Sequence, residues 1–289
     1  RTFERIKIMK INKLIVSLIA LATAFSLVSC DKNNDDKKDN KENQTVENST
    51  VESEVASEQS DVGAYLRKTA ELYKGGSYTL KSTVTSTAFE GEIKLTRVVD
   101  GNNIYQIQEE PIGSYGVVSV RDEAYDFDNA CGMYRKSESV PVTTVVEEVV
   151  DQNLPVNIRL NEGFVVEQYT FTGSTYITNI DFYFDEATEE LKKYTMTYIS
   201  EGQDNVIETR VIDSVSETVD VKVFDLEFLN EMTDFEELTE SERQSFCKKI
   251  LKSKGVTSAH LDKASVTDED LKTIEFDSLF NLVYTYGEN

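Results

Sequence analysis

Three thiols and one imidazole are the strongest nucleophiles and soft-metal ligands in the chain: Cys30, Cys131, Cys247 and His260. A zinc centre needs several such donors at ligand spacing, and Cys131 and Cys247 do not have it. His260 falls in the polar stretch Thr257-Ser258-Ala259-His260, which reads as a loop with an exposed histidine. A Ser-His-Asp triad would be supported by a Gly-x-Ser-x-Gly turn presenting its serine, and none is present. No glycine loop of the phosphate-cradling kind occurs either. Asp122, Glu123, Asp126, Asp128 and Asn129 form an oxygen-rich cluster of the type that can hold calcium. The EF-hand spacing is missing, however, and Asp or Asn at strand ends commonly serves turns. Paired carboxylates for glycoside hydrolysis must stand ~5–10 Å apart in space. Among 53 Asp and Glu no pair is singled out. No catalytic residue, cofactor or metal ligand is therefore expected.

Charge narrows the partners. The 289 residues carry a formal charge of -23. Residues 1–29 hold five basic side chains and one acidic, a net +4, so the remainder carries -27. A surface this acidic repels nucleic acid and anionic headgroups. A nucleic-acid partner is excluded; a protein partner is left unknown.

The elements that would position any site follow from periodicity. Val62, Tyr65, Leu66, Thr69, Leu72 and Tyr73 recur at three and four, one face of a helix capped by Asp61 and ended by Gly75-Gly76. From Ser77 the period becomes two: Tyr78, Leu80, Ser82 and Val84 alternate with Thr79, Lys81, Thr83 and Thr85. Ile93, Leu95 and Arg97 continue the pattern, Asp100-Gly101-Asn102 is a hairpin signal, and Tyr105 and Ile107 follow. Tyr115 to Val120, Glu123 to Phe127 and Met133 to Lys136 read as three further strands, together an antiparallel meander with one wet face. Val142, Val145, Val146, Val149 and Val150 mark a helical stripe with Ser139 and Pro141 near its start; their β-branching leaves a strand as the alternative. Phe164 to Phe171, Thr175 to Phe184, Leu191 to Ser200 and Val206 to Val215 are four longer strand candidates. Beyond a joint at Val219 to Asp225, Thr239 and Glu242 form a capping box for a helix bearing Phe246, Cys247, Ile250 and Leu251 and ended by Gly255. Thr267 and Asp270 suggest another cap, and the tail from Phe276 to Tyr286 is apolar enough to pack. Tyr65, Tyr78, Tyr105, Tyr125 and Phe127 could line an apolar pocket, or simply fill a core. Cys131 and Cys247 could bridge outside the cytoplasm; two free thiols is the simpler expectation.

The amino-terminal stretch fixes a location. Leu14 to Val28 carries no charge and follows the basic head Met9-Lys10-Ile11-Asn12-Lys13. It is short for a bilayer span, which needs ~20 apolar residues, and has the layout of a secretory signal. Arg1 to Ile8 precede the expected start at Met9. Leu27-Val28-Ser29-Cys30 resembles the lipobox of bacterial lipoproteins. That resemblance implies a diacylglycerol thioether, with palmitate-type chains, on Cys30. It also implies cleavage before Cys30 and a membrane anchor on the extracytoplasmic side. Asp31 to about Ser60 holds almost nothing to bury and is expected to be a disordered tether. The expected division is 1–29 signal, 30–60 tether, 61–224 sheet domain and 225–289 helical extension packed on the same domain.

Helix, Gly-Gly, meander, second helix and then long strands around Asp181-Phe182-Tyr183-Phe184-Asp185 and Leu191-Lys192-Lys193-Tyr194 is an order that resembles the LolA/LppX/LprG-type lipoprotein carriers over roughly Asp61 to Val219. The resemblance implies an α+β fold: a strongly curved antiparallel half-barrel, with helices over its concave face and acyl chains held between them. Leu66, Leu72, Tyr78, Leu80, Ile93 and Leu95 are the ligand-lining residues expected on that basis. Ser82 and Arg97 depart from a purely apolar cradle. The expectation is a non-enzymatic surface lipoprotein that binds a lipid or other apolar ligand. The alternative is a tethered protein- or glycan-interaction module with a solid core. A carboxylate hydrolase ranks last.

Overall fold

The computed structural model describes residues 63–74, 76–137, 144–152, 154–171, 177–199 and 204–288. Cys30, the apolar run, the tether, Asp61, Val62, Gly75, Ser139, Pro141 and Val142 lie outside the described residues.

Helix α1 (Ala64–Lys74) leads into strands β1 (Ser77–Ser86), β2 (Phe89–Asp100), β3 (Asn103–Glu110), β4 (Gly113–Val120), β5 (Glu123–Asp128) and β6 (Met133–Ser137). Helix α2 (Val145–Asp151) precedes β7 (Val156–Asn161), β8 (Phe164–Thr170), β9 (Ile177–Asp185), β10 (Leu191–Tyr198) and β11 (Val206–Ser216). Two 3₁₀ turns (Val221–Phe224 and Leu226–Glu231) and the two-residue β12 (Thr233–Asp234) follow. Last come α3 (Glu240–Ser253), α4 (Ser258–Ala264), a 3₁₀ turn (Asp270–Lys272) and α5 (Phe276–Tyr286).

The strands form one open sheet in the order β12-β6-β5-β4-β3-β2-β1-β11-β10-β9-β8-β7. Two meanders, β1–β6 and β7–β11, are joined where β11 pairs antiparallel with β1. The sheet is mixed rather than purely antiparallel, because β12 adds parallel to β6. Strands β6 and β7 are consecutive in the chain but stand near opposite edges, so the connection carrying α2 must cross a whole face.

Register sorts the side chains. Tyr78, Leu80, Ser82 and Val84 of β1 stand opposite Val99, Arg97, Leu95 and Ile93 of β2. The row of Ser82 continues through Leu95, Gln108 and Tyr115 to Asp128; that of Arg97 runs through Gln106 and Val117 to Asp126. Directly paired residues share a face, and we call this one the inner face. On the other half it bears Arg210, Tyr194, Phe182 and Glu167. Gly116 lets β3 and β4 approach on the outer side. A Cβ there would lie 2.1 Å from the Gln106 carbonyl oxygen and 2.9 Å from the Phe127 ring.

Helices α1 and α2 cover the β8–β11 half of the inner face. Leu66, Ala70 and Tyr73 of α1 and Val145, Val146 and Val149 of α2 share one cluster with Phe182, Phe184, Tyr194 and Met196. The valine stripe is thus a helix: Thr144 and Glu147 close a capping box that offsets the β-branched cost. Glu167 supplies the other helix start, accepting from the Tyr65 and Leu66 N–H groups at 3.1 and 3.2 Å.

The carboxyl-terminal segment wraps the β6 edge. Leu226, Phe228 and Leu229 pack with Tyr105, Ile107, Val118 and Phe127 on the outer face. The expected wet face is therefore covered over β3–β6, because these 3₁₀ turns bring back apolar side chains that no periodicity announces. After β12, helices α3–α5 form a second core with Cys131 and Met133. Helix α5 then reaches the inner face: Phe280 and Tyr284 meet the Tyr115 ring edge-on at 4.6 and 5.1 Å. Arg135 bonds Asp277 at 3.0 Å and Asp126 at 2.8 Å, fastening α5 to β5 and β6.

Candidate ligand site on the inner face

Between these two helical covers lies the middle of the inner face, built by β11, β1, β2 and β3. Val84, Ile93 and Leu95 are buried there, at 0 to 6% exposure, yet join none of the apolar clusters formed by the described residues. Among them stand Ser82, Arg97, Gln106, Gln108, Glu208 and Arg210, all buried as well.

The polar groups are partly paired. Arg97 Nη1 donates to Gln106 Oε1 at 3.0 Å. Burial raises the Tyr78 hydroxyl above the ordinary tyrosine range, while the Arg97 guanidinium, hydrogen-bonded to it, pulls it back. Arg210 Nη2 lies 3.5 Å from Glu208 Oε1, and its guanidinium sits 5.5 Å from the centre of the Tyr194 ring. Burial pushes the Glu208 carboxyl up, and Arg210 opposes it. The Tyr115 hydroxyl lies 3.0 Å from Gln108 Oε1 and 2.9 Å from Glu110 Oε1. One hydroxyl proton cannot serve two acceptors. With the Gln108 amide turned over, Tyr115 donates to Glu110 and accepts from Gln108, which leaves the amide oxygen facing the site.

Four buried groups of this strip are short of a hydrogen-bond partner among the described residues: Ser82 Oγ, Glu208 Oε2, Arg210 Nε and the Gln108 amide, which lacks a partner at its nitrogen as placed and at its oxygen once turned over. A buried polar atom without a partner costs ~1–3 kcal/mol, so each of these is a point at which water or a ligand would be bonded favourably. The four span β11, β1 and β3, and at ~4.8 Å per strand the patch is about 14 Å wide. It can offer donors and an acceptor to a small polar group, with apolar contact beside it. Nothing in the arrangement poises a nucleophile against a base.

The expected lining residues divide. Leu66, Tyr78 and Leu80 lie in the cluster under α1 and α2. Ile93 and Leu95 lie buried on the middle strip between the two helical covers. Leu72 does not join them: at 70% exposure it turns to solvent, while Leu66, Thr69, Ala70 and Tyr73 form the buried stripe of α1. The expected aromatic group is also split. Tyr65 packs against Phe184 at 5.5 Å and Tyr78 belongs to the inner face, whereas Tyr105, Tyr125 and Phe127 pack on the outer side. Sequence reasoning passed over Glu208 and Arg210; their alternation with exposed Ile207 and Val211 was the available signal.

The other chemical candidates resolve into structure. Asp128 accepts from the Ala130 and Cys131 N–H groups at 2.7 and 3.1 Å. Asp126 binds Arg135, Glu123 binds Lys136, and Asn129 donates to Ser114. No cluster of three metal-type ligands occurs among the described residues. His260 is not in a loop but on α4, where its Nδ1 accepts from the Thr257 N–H at 3.3 Å and its ring stacks on Tyr286 at 5.1 Å. Cys131 and Cys247 are free and buried in the same core. No described helix is long and apolar enough to cross a membrane.

No family model and no curated protein matches the chain. Solved structures similar to it include the Mycobacterium tuberculosis lipoprotein LppX, at 10% identity and a TM-score of 0.30, covering 55% of this chain and 98% of that one. A Vibrio parahaemolyticus domain described under outer membrane lipoprotein sorting gives 12% and 0.30, covering 58% and 97%. A DUF1329 family protein from Desulfovibrio piger gives 10% and 0.30, covering 58% and 98%.

Proposed function

We propose that this chain is a non-enzymatic lipoprotein, anchored by acyl chains on Cys30 outside the cytoplasmic membrane, that holds a lipid or similar amphipathic ligand over the middle of its inner face. The observation that carries the reading is the central strip itself. Val84, Ile93 and Leu95 are removed from water without joining an apolar cluster, and buried polar atoms beside them lack partners among the described residues. Apolar walls with a few convergent polar groups are the usual make-up of a small-molecule site. The half-barrel curvature implied by the resemblance to the lipoprotein carriers would deepen the strip into a cradle, and the crossover bearing α2 and the return of α5 would form its two ends.

Native mass spectrometry of protein extracted from a producing bacterium tests it. The expected result is a copurified mass in the lipid range, lost on organic extraction. A bare mass, together with a crystal structure in which the chain's own side chains fill the strip, would refute it. The anchor is tested apart, by Cys30→Ser: the variant should leave the membrane fraction and take up no metabolic palmitate label.

A second reading, a tethered interaction module, draws on the sheet edge. On β7, Ile158 and Leu160 are 41% and 71% exposed. A solid core with that edge engaged by another chain would be its signature.

A further inference from the structure

Glu208 and Arg210 stand two residues apart on β11, on the same face, both buried. Their mutual contact uses Oε1 and Nη2 and leaves Oε2 and Nε without partners among the described residues. An acceptor and a donor, two residues apart on one strand face and both out of water, are thus left open among the described residues. We propose that this pair recognises the uncharged, hydroxyl-bearing end of an acyl lipid, with Ser82 and Gln108 each taking a further polar group and Val84, Ile93 and Leu95 its chain. The inference rests on the ligand reading above and specifies the class of ligand.

The argument is one of complementarity. A single hydroxyl oxygen accepts from Arg210 Nε–H while its proton goes to Glu208 Oε2, so both atoms are satisfied at once. A carboxylate or phosphate satisfies Arg210 but sets a second negative charge against Glu208 where water cannot screen it. An ammonium meets the reverse conflict with Arg210. A plain hydrocarbon leaves both atoms unpaired. Val84 is the direct cross-strand neighbour of Arg210, which puts Ser82 on the adjacent diagonal, ~7–8 Å away. Leu95 lies between Ser82 and Gln108 on one row, so apolar contact runs between the polar points. A glycerol or similar polyol bearing one acyl chain has this alternation; a fatty acid does not.

The test is competition binding to the purified full-length protein with 1-monooleoylglycerol, oleate and a C18 alkane. Monooleoylglycerol should bind about tenfold more tightly than oleate or the alkane, the factor of one well-made buried hydrogen bond. Glu208→Gln removes the opposing charge and should bring oleate to within about twofold of monooleoylglycerol. Ser82→Ala, a small change that leaves the strand intact, should weaken monooleoylglycerol about fivefold and leave the alkane unchanged. Oleate binding as tightly as monooleoylglycerol to the unaltered protein would overturn the inference while leaving the ligand site standing. The inference is overturned in the same way if both variants keep the original order and affinities. If none of the three probes binds, the ligand reading itself falls with it.

Discussion

Glu167 accepts the backbone N–H of Leu66 at 3.2 Å across a separation of 101 residues. It also takes the Tyr65 N–H at 3.1 Å and the Tyr169 hydroxyl at 2.9 Å. Helix starts leave N–H groups unsatisfied, and most helices cap them locally. Here the cap comes from the inner face of β8, so one carboxylate both starts α1 and holds it to the sheet. Glu167→Ala is expected to cost ~2–3 kcal/mol, since it orphans buried N–H groups and a buried hydroxyl. Glu167→Gln keeps an acceptor and should cost less. Urea unfolding of the two variants checks the order.

The same carboxyl predicts an unusual pH dependence. Burial raises Glu167, Glu208 and Asp128 above their ordinary ranges in the folded protein. A carboxyl whose folded pKa exceeds its unfolded one binds more protons folded than unfolded within that window. Stability therefore falls as pH rises from the ordinary carboxylate range through the raised values. The net charge of -23 adds repulsion in the same direction. Melting should move up between pH 7 and pH 5, and Glu208→Gln should flatten the slope. A melting temperature that drops over this interval would contradict the buried placement of all three.

Leu66 and Leu72 make a second contrast on one helix. Leu66 is fully buried against the sheet, whereas Leu72 is exposed. Leu66→Ala is expected to cost ~2–5 kcal/mol through lost transfer energy and a cavity. Leu72→Ser should stay within about 0.5 kcal/mol of the original. Equal losses in chemical denaturation would show that α1 is rotated from the position described.

Both core thiols should be silent. Cys131 and Cys247 are 3% and 0% exposed. Burial and the neighbouring Asp128 push Cys131 up, and burial takes Cys247 up to about 12. Thiolate is the reactive form, so a Cys30→Ser protein should give no fast reaction with a thiol reagent when folded and two equivalents when unfolded. Truncation before Phe276 removes α5 from the core that holds both sulfurs. Labelling should then become fast without denaturant.

Local signals settled much of this fold. Alternation of Tyr78, Leu80, Ser82 and Val84 marked β1, since a two-residue period leaves no other way to bury one side. Thr239 and Glu242 marked the start of α3 because the capping box is made within four residues. The cap at Thr267 and Asp270 was equally local, but it heads only a 3₁₀ turn, Asp270–Lys272. Strand β7 was legible and passed over: Val156, Ile158 and Leu160 alternate with Asn157, Arg159 and Asn161.

What the sequence determined by itself was most of the run of elements, the acidic charge and the presence of polar residues inside otherwise apolar strands, because each is carried by the residues themselves or by neighbours a few positions apart. Which face the aromatics took, what covered the outer side of β3–β6, and the meeting of Glu208 and Arg210 with Ser82 and Gln108 were decided only in three dimensions. The β1–β11 pairing joins residues more than 120 positions apart, and the 3₁₀ turns choose their face by shape and by which apolar area remains uncovered. Neither choice leaves a periodic trace in the chain.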